Sequence, residues 1–305
     1  MKVFTGYLAI YEFESELEKE LTLKGLNPIL KKDRFYLIEG DHPSLIWAQA
    51  TFFRLKEINI TSINDGIKQL KNLGRNWALY TVGHHRRAQL IQDGLPKLNA
   101  KPFSFLGTLP QSPMGFWTML DQNLILATQE TSSLFPLGEI QFQEDKIMPP
   151  SRAYLKLWEF FTLYAPEAKG KVAIDVGSCP GGWTWVLRNL PFEKIISVDK
   201  APIEKRIYDL GQIDFKQESA FGLNPQDLPE IDWFCSDIIC YPERLYHLVQ
   251  KFRESKKVKN FVCTIKYQSE TDWETTKKFL EIPHSKIIHL YHNKHEVTWF
   301  LKGDQ

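Results

Sequence analysis

The sequence predicts an α/β region built on an open parallel sheet that ends in an antiparallel hairpin, preceded by a smaller α+β region. Three observations carry this reading. After Ser151, strand-like and helix-like segments alternate. Before it, several strand-like runs follow one another without a regular helix between each pair. Between the two, the stretch from Pro136-Leu-Gly to Pro149-Pro150 interrupts regular structure, because proline removes a backbone donor and fixes φ. The expected domains are residues 1–140, a linker at 141–150, and residues 151–305.

In the first region, residues 2–11 read as a strand and 15–24 as a helix with acidic residues at its start. Residues 34–39 read as a second strand. Residues 43–55 and 63–73 carry apolar side chains at helical spacing. Residues 77–82 are β-rich and 86–95 form a short helix, after which 103–109, 115–120 and 124–128 suggest a small antiparallel sheet. In the second region, 152–164 is an amphipathic helix. Strands are expected at 172–176, 194–198, 214–216, 233–236 and 261–265, with helices at 182–190, 241–254 and 270–280. The chain closes on strands at 286–291 and 296–301, joined by His292-Asn293-Lys294-His295.

Composition narrows the classes. The 305 residues suffice for two domains, and 43% apolar residues support sizeable cores. No apolar run approaches the roughly 18 residues of a membrane span, and the start lacks a signal-peptide pattern. Cys179, Cys235, Cys240 and Cys263 form no Cys-x-x-Cys pair, so a reduced, cytoplasmic protein without a metal site is expected. The net charge of +1 excludes a polycation. Residues 54–101, however, hold nine Lys/Arg against three Asp/Glu. That excess suits phosphate contact as well as a solvated helix face, and Arg75, His85, Arg86 and Arg87 are its candidate RNA contacts.

The stretch Asp175-Val-Gly-Ser-Cys-Pro-Gly-Gly-Trp183 joins a buried strand to a helix. Ligands of such sheets sit outside the carboxyl ends of the strands. Gly177, Gly181 and Gly182 would let the backbone approach a ligand, and Pro180 stiffens the turn. The spacing is neither Gly-x-Gly-x-x-Gly nor a phosphate loop with Lys-Ser/Thr, which disfavours a dinucleotide or a nucleoside triphosphate. Asp199, at the end of the next strand, is placed to accept the hydroxyls of an adenosine ribose. The turn then suits the amino-acid end of S-adenosylmethionine. Trp183 reads as core or a pocket wall, and Cys179 as a packing residue.

Asp175 to Thr184 resembles the cofactor motif of the FtsJ-type ribose 2′-O-methyltransferases. Ser151-Arg-Ala-Tyr-Leu-Lys156-Leu, Cys235-Ser-Asp237, Ile265-Lys266 and His295-Glu296-Val-Thr298 are most similar to the M-type 23S rRNA cytidine 2′-O-methyltransferases. The resemblance runs from about Ser151 to the end. It implies a Rossmann-like methyltransferase sheet, S-adenosylmethionine as cofactor, 23S rRNA as partner, and a catalytic set Lys156, Asp237, Lys266 and Glu296. It also implies cofactor contacts from Asp175, Gly177, Ser178, Cys179, Pro180, Gly181, Gly182, Trp183, Asp199, Ser219 and Asp237. Upstream, Leu45-Ile-Trp-Ala-Gln and His85-Arg-Arg-Ala are similar to the family's ferredoxin-like and THUMP RNA-binding region, here abridged. Near the third strand the family carries an acidic residue; this chain has Ser219 in that place and Glu218 one position early.

The chemistry needs such residues. A sulfonium methyl is already electrophilic, whereas a ribose hydroxyl is a poor nucleophile until its proton leaves, so the site must align the groups and take a proton. Lys266 is the expected base. A lysine acts so only in its neutral form, which burial and a neighbouring cation such as Lys156 favour. Asp237 and Glu296 oppose that tendency but fix the amines. Lys156 alternatively orients the hydroxyl or stabilises the developing oxyanion. The competing classes are an RNA-binding protein of this fold without catalysis and a small-molecule methyltransferase.

Overall fold

The computed structural model describes residues 2–98 and 101–303. Strand β1 (Phe4–Ala9), buried along its whole length, starts the first unit. It is followed by α1 (Glu14–Leu23), β2 (Leu30–Lys32), β3 (Phe35–Glu39), β4 (Ala48–Asn59), α2 (Ile63–Leu73), β5 (Trp77–Leu79), α3 (His85–Asp93), β6 (Gly115–Asp121) and β7 (Leu124–Thr128). The strands form one sheet in the order β2-β3-β1-β4-β7-β6-β5, antiparallel except for β5 beside β6. Two clusters fill it. One gathers Leu70 from α2 and Ile91 from α3 with Trp77, Trp117 and Ile125; the other gathers Phe4, Phe35, Phe52, Phe116 and Leu126.

Residues 43–55 are not a helix. The stretch leads into β4, and a bulge explains the misleading spacing. Phe4 faces Leu55 while Gly6 faces Phe52, so three steps on β4 oppose two on β1. Arg54 takes up the extra residue with φ +47°. Phe52 and Leu55 therefore both face the core at an interval of three, the interval of a helix. The turn before β4 is held by Glu20, whose carboxylate accepts from the Ile46 and Trp47 amides at 3.0 and 2.9 Å. Residues 103–109 form no strand either. Phe103 donates one amide bond to Gln141 O, and Gly107 and Pro110 break the alternation beyond it.

The second unit comprises Ser104–Leu106 and Phe142–Gln305, the first Met1–Phe103 and Gly107–Gln141. Its elements are α4 (Tyr154–Tyr164), β8 (Gly170–Val176), α5 (Gly182–Arg188), β9 (Phe192–Asp199), α6 (Lys205–Tyr208), β10 (Ile213–Gln217), β11 (Ile231–Ser236), α7 (Pro242–Glu254), β12 (Val258–Lys266), α8 (Trp273–Leu280), β13 (Ser285–Ile288) and β14 (Glu296–Leu301). The strand order is β10-β9-β8-β11-β12-β14-β13. Strands β8 to β12 are parallel, and β14 runs antiparallel between β12 and β13. This is the α/β, Rossmann-like sheet with a terminal antiparallel hairpin. The chain winds outward from β8 in both directions, so the crevice outside the carboxyl ends of β8 and β11 is its topological switch point. No helix among the described residues is long and apolar enough to cross a membrane.

Candidate active site

Helix α4 is buried over nearly its whole surface, yet carries two charged residues one turn apart, Lys156 and Glu159. Charged side chains are almost never buried unless paired, and both are paired. Glu159 accepts from the amides of Tyr291 and His292 at 2.7 and 3.0 Å, and its Oε2 lies 2.7 Å from His292 Nδ1. It thereby pins the connection that leads into β14. Lys156 Nζ donates to Asp237 Oδ1 and Oδ2 at 2.7 and 2.8 Å and to Glu296 Oε1 at 3.0 Å.

The sheet delivers the other members. Asp237 follows the last residue of β11, Lys266 ends β12, and Glu296 opens β14. Lys266 and Glu296 face one another across the β12–β14 ladder. The Lys266 amine nevertheless turns to Asp237, donating to its backbone O at 2.8 Å and lying 3.0 Å from Oδ1. Two ammonium and two carboxylate groups, up to 140 residues apart in the chain, thus meet at one end of the sheet. Their accessibilities differ: 8% of the Lys156 side chain is exposed and 19% of Lys266. Burial alone would pull the Lys156 pKa down, but the Asp237 and Glu296 carboxylates outweigh it and hold it above the ordinary lysine value.

The turn after β8 lies at the same sheet end. Gly177 has φ +82°, and a side chain there would collide with Ile238, Cγ1 standing 2.4 Å from an ideal Cβ. Gly181, with φ +116°, abuts Ile207, and Gly182 abuts Ser151. At each of the three positions the protein itself occupies the space a Cβ would need, so close packing within the turn already requires glycine there. The Cys179–Pro180 peptide is cis. Asp199 accepts from the amides of Cys179 and Ala201, both at 3.0 Å, tying the turn to the end of β9. Trp183 is core, its Nε1 donating to Ala153 O at 3.0 Å. The Cys179 thiol is pushed up by burial and by Asp199 and Glu204, away from a nucleophilic thiolate.

Residues 149–288, which carry the turn, Lys156, Asp237 and Lys266, match the family model described as FtsJ-like methyltransferase. Over this stretch, just under half of the chain, the protein is similar to the FtsJ-like methyltransferases. A curated relative from Pseudoalteromonas atlantica, named Ribosomal RNA large subunit methyltransferase M, is 30% identical over 190 residues, covering 55% of this chain and 51% of that protein. A protein of the same name from Xanthomonas oryzae pv. oryzae is 29% identical over 255 residues, covering 77% of this chain and 68% of the relative. The chain thus spans about half the length of the first and two thirds of the second. A solved structure described as an rRNA methylase from Streptococcus thermophilus shows a weaker likeness, with a TM-score of 0.35 and 11% identity over 45% of this chain and 89% of that one.

An FtsJ-like methyltransferase takes its methyl group from S-adenosylmethionine, and the crevice suits that molecule. Asp175 Oδ1 near the end of β8, Ser178 Oγ in the turn after it and Ser236 Oγ at the end of β11 are buried without a hydrogen-bond partner among the described residues. Such atoms cost about 1–3 kcal/mol each, and a polar ligand group reaching this sheet end would offset that cost. At the end of β10, Ser219 is half-buried and Glu218 exposed.

Asp175 is held by Thr184, whose hydroxyl donates to Oδ2 at 2.7 Å. Burial first, then Asp237 and Asp199, push its pKa up to about 7, while the Thr184 bond opposes them. A carboxyl whose folded pKa is raised contributes its stability below its unfolded pKa and loses it as pH rises through about 7. The Asp175→Asn variant is therefore expected to gain on the ligand-free wild type between pH 4.5 and 8, by on the order of 3 kcal/mol. Urea unfolding at the two pH values measures this, and parallel curves would refute it.

The candidate RNA contacts lie in the first unit. Arg75, His85 and Arg86 are exposed, the last two on the first turn of α3. Arg87 is half-buried and reaches Asn123 Oδ1 at 3.4 Å. Arg54 is neutralised by Asp41 and Glu130 at 3.1 and 3.0 Å, so part of the local basic excess does not face solvent as free charge. Tyr267 is buried, its hydroxyl 2.7 Å from Thr276 Oγ1, and serves packing and not base stacking.

Proposed function

We propose that the chain methylates a ribose 2′-hydroxyl of RNA, a cytidine of 23S rRNA, with Lys156, Asp237, Lys266 and Glu296 as the catalytic set. The observation that carries this reading is the different bonding of the two lysines. Lys156 makes three contacts to carboxylate oxygens, which use the three N–H groups of an ammonium. Lys266 makes two contacts, both to oxygens of Asp237. A neutral amine has two N–H groups, so Lys266 can keep both contacts and still present its lone pair. It is also the more accessible of the two. Lys266 Nζ therefore takes the hydroxyl proton while the ribose oxygen bonds to carbon, and Lys156 remains a fixed cation that orients Asp237 and offsets negative charge. S-adenosylmethionine, when bound, supplies the electrophilic methyl and leaves as the neutral thioether.

The names of the curated relatives support rRNA as the substrate class. Arg75, His85, Arg86 and Arg87 are proposed as its phosphate contacts. The direct test incubates the protein and tritiated S-adenosylmethionine with large-subunit rRNA transcripts and maps ribose methylation. Label at one 2′-O position of a cytidine is the expected result. Transfer to a base nitrogen or carbon, or to small molecules only, would exclude the reading.

A further inference from the structure

The segment that follows Asp237 has an alternation the catalytic set does not explain. Ile238 is buried against Gly177 of the cofactor turn and Cys240 is buried. Between and beyond them, Ile239 is 82% exposed and Tyr241 is 66% exposed. These are among the most exposed large apolar side chains of the unit, and they stand two and four residues from a carboxylate that both catalytic lysines contact. A lone exposed isoleucine needs no explanation. Two such side chains placed at the rim of a catalytic centre do.

The backbone holding them is fixed. Tyr241 precedes α7, its carbonyl accepts from the amides of Arg244 and Leu245, and Pro242 occupies the first turn. Its ring is therefore presented from a set position and not from a loose loop. One turn along α7, Arg244 lies over the Phe221 ring at 3.8 Å and is exposed. It makes no ion pair among the described residues, so its charge is available. Arg244 follows Tyr241 by three residues, on the first turn of α7, and that helix begins five residues after Asp237.

An aromatic ring, an aliphatic side chain and an unpaired arginine in a row form the equipment for single-stranded nucleic acid: stacking faces for bases and a cation for the phosphate between them. We infer that Ile239, Tyr241 and Arg244 form a nucleotide platform beside the catalytic set, with the Tyr241 ring stacking on an unpaired base next to the methylated ribose and Arg244 meeting the adjoining phosphate. The inference rests on the proposed RNA reading and adds a positioning surface within the methyltransferase unit, separate from the basic residues of α3.

The test measures methyl transfer to large-subunit rRNA transcripts and binding to a 12-nucleotide oligocytidylate for wild type, Tyr241→Ala, Tyr241→Phe and Arg244→Gln. Loss of a stacked base typically weakens binding by about 10-fold. Tyr241→Ala is expected to raise the RNA KM and the oligonucleotide Kd by that factor, with kcat within twofold of wild type, as estimated for stacking lost before the chemical step. Tyr241→Phe restores both values. Arg244→Gln lowers the salt slope of binding by about one phosphate contact. Calorimetric affinity for S-adenosylmethionine stays at the wild-type value in all three variants, which a merely structural role of these residues would not preserve. If Tyr241→Ala binds and reacts as wild type does, the platform is overturned while the proposed function stands. A wild-type protein that neither binds the oligocytidylate nor methylates the transcripts overturns the proposed function and the platform with it.

Discussion

Replacing Lys266 by alanine is expected to lower methyl transfer by about 10³-fold, the mid-range loss for a general base, with S-adenosylmethionine affinity within about twofold of wild type, because catalysis and ground-state binding separate when a group acts only in the transition state. The geometry supports both halves. Lys266 touches Asp237 and no residue of the turn after β8 among its hydrogen bonds and ion pairs. The Lys266→Arg variant sharpens the test. Arginine keeps the positive charge and the contacts to Asp237 within reach, but its guanidinium cannot be deprotonated in a protein. If Lys266 only neutralises charge, arginine restores a large part of the rate. If Lys266 takes the proton, arginine is as inactive as alanine. Single-turnover transfer of tritiated methyl to rRNA transcripts distinguishes the two, and a rate within tenfold of wild type for either variant rules out the base.

Much of the site was legible in the sequence because its members sit where elements end. Asp237 and Lys266 lie where parallel strands end, and such ends are marked by the return of polar residues after an apolar run, whereas Lys156 and Glu296 joined the candidate set through the family resemblance alone. What periodicity could not give was the bonding. The difference between Lys156 as a triply engaged cation and Lys266 as a doubly engaged amine depends on side-chain directions within a few ångströms. Glu159 was missed, although a second charge on a helix otherwise made of Tyr, Leu, Trp and Phe was a usable signal for a buried partner. In the first unit, the bulge at Arg54 gave β4 a helix-like interval and the three-residue β2 is too short to show any period, as is the four-residue α6 of the second unit.

Lys156 is expected to matter for stability more than any other member of the set, because removing one partner from a buried ionic cluster leaves the remaining charges without compensation. Lys156→Met keeps the volume and removes the cation that both Asp237 and Glu296 share. The expected loss is about 3–5 kcal/mol, which for a unit of this size lowers its melting temperature by on the order of 10 °C. Glu296→Gln retains an acceptor for Lys156 and should cost no more than about 1.5–3 kcal/mol, the range for a hydrogen bond to a charged group. Thermal unfolding of wild type and both variants measures this; a Lys156→Met protein that melts with the wild type would show that Lys156 does not hold the carboxylates in place. The same energetics bears on function. Apolar residues of similar volume commonly replace a buried ionic cluster without loss of stability, and often with a gain. Packing alone therefore gives no reason to gather two lysines, an aspartate and a glutamate at the ends of three strands and on a buried helix. A reaction that must strip a proton from a ribose hydroxyl beside a cationic methyl donor does give one, since it needs a neutral amine and a permanent cation held apart by fixed carboxylates.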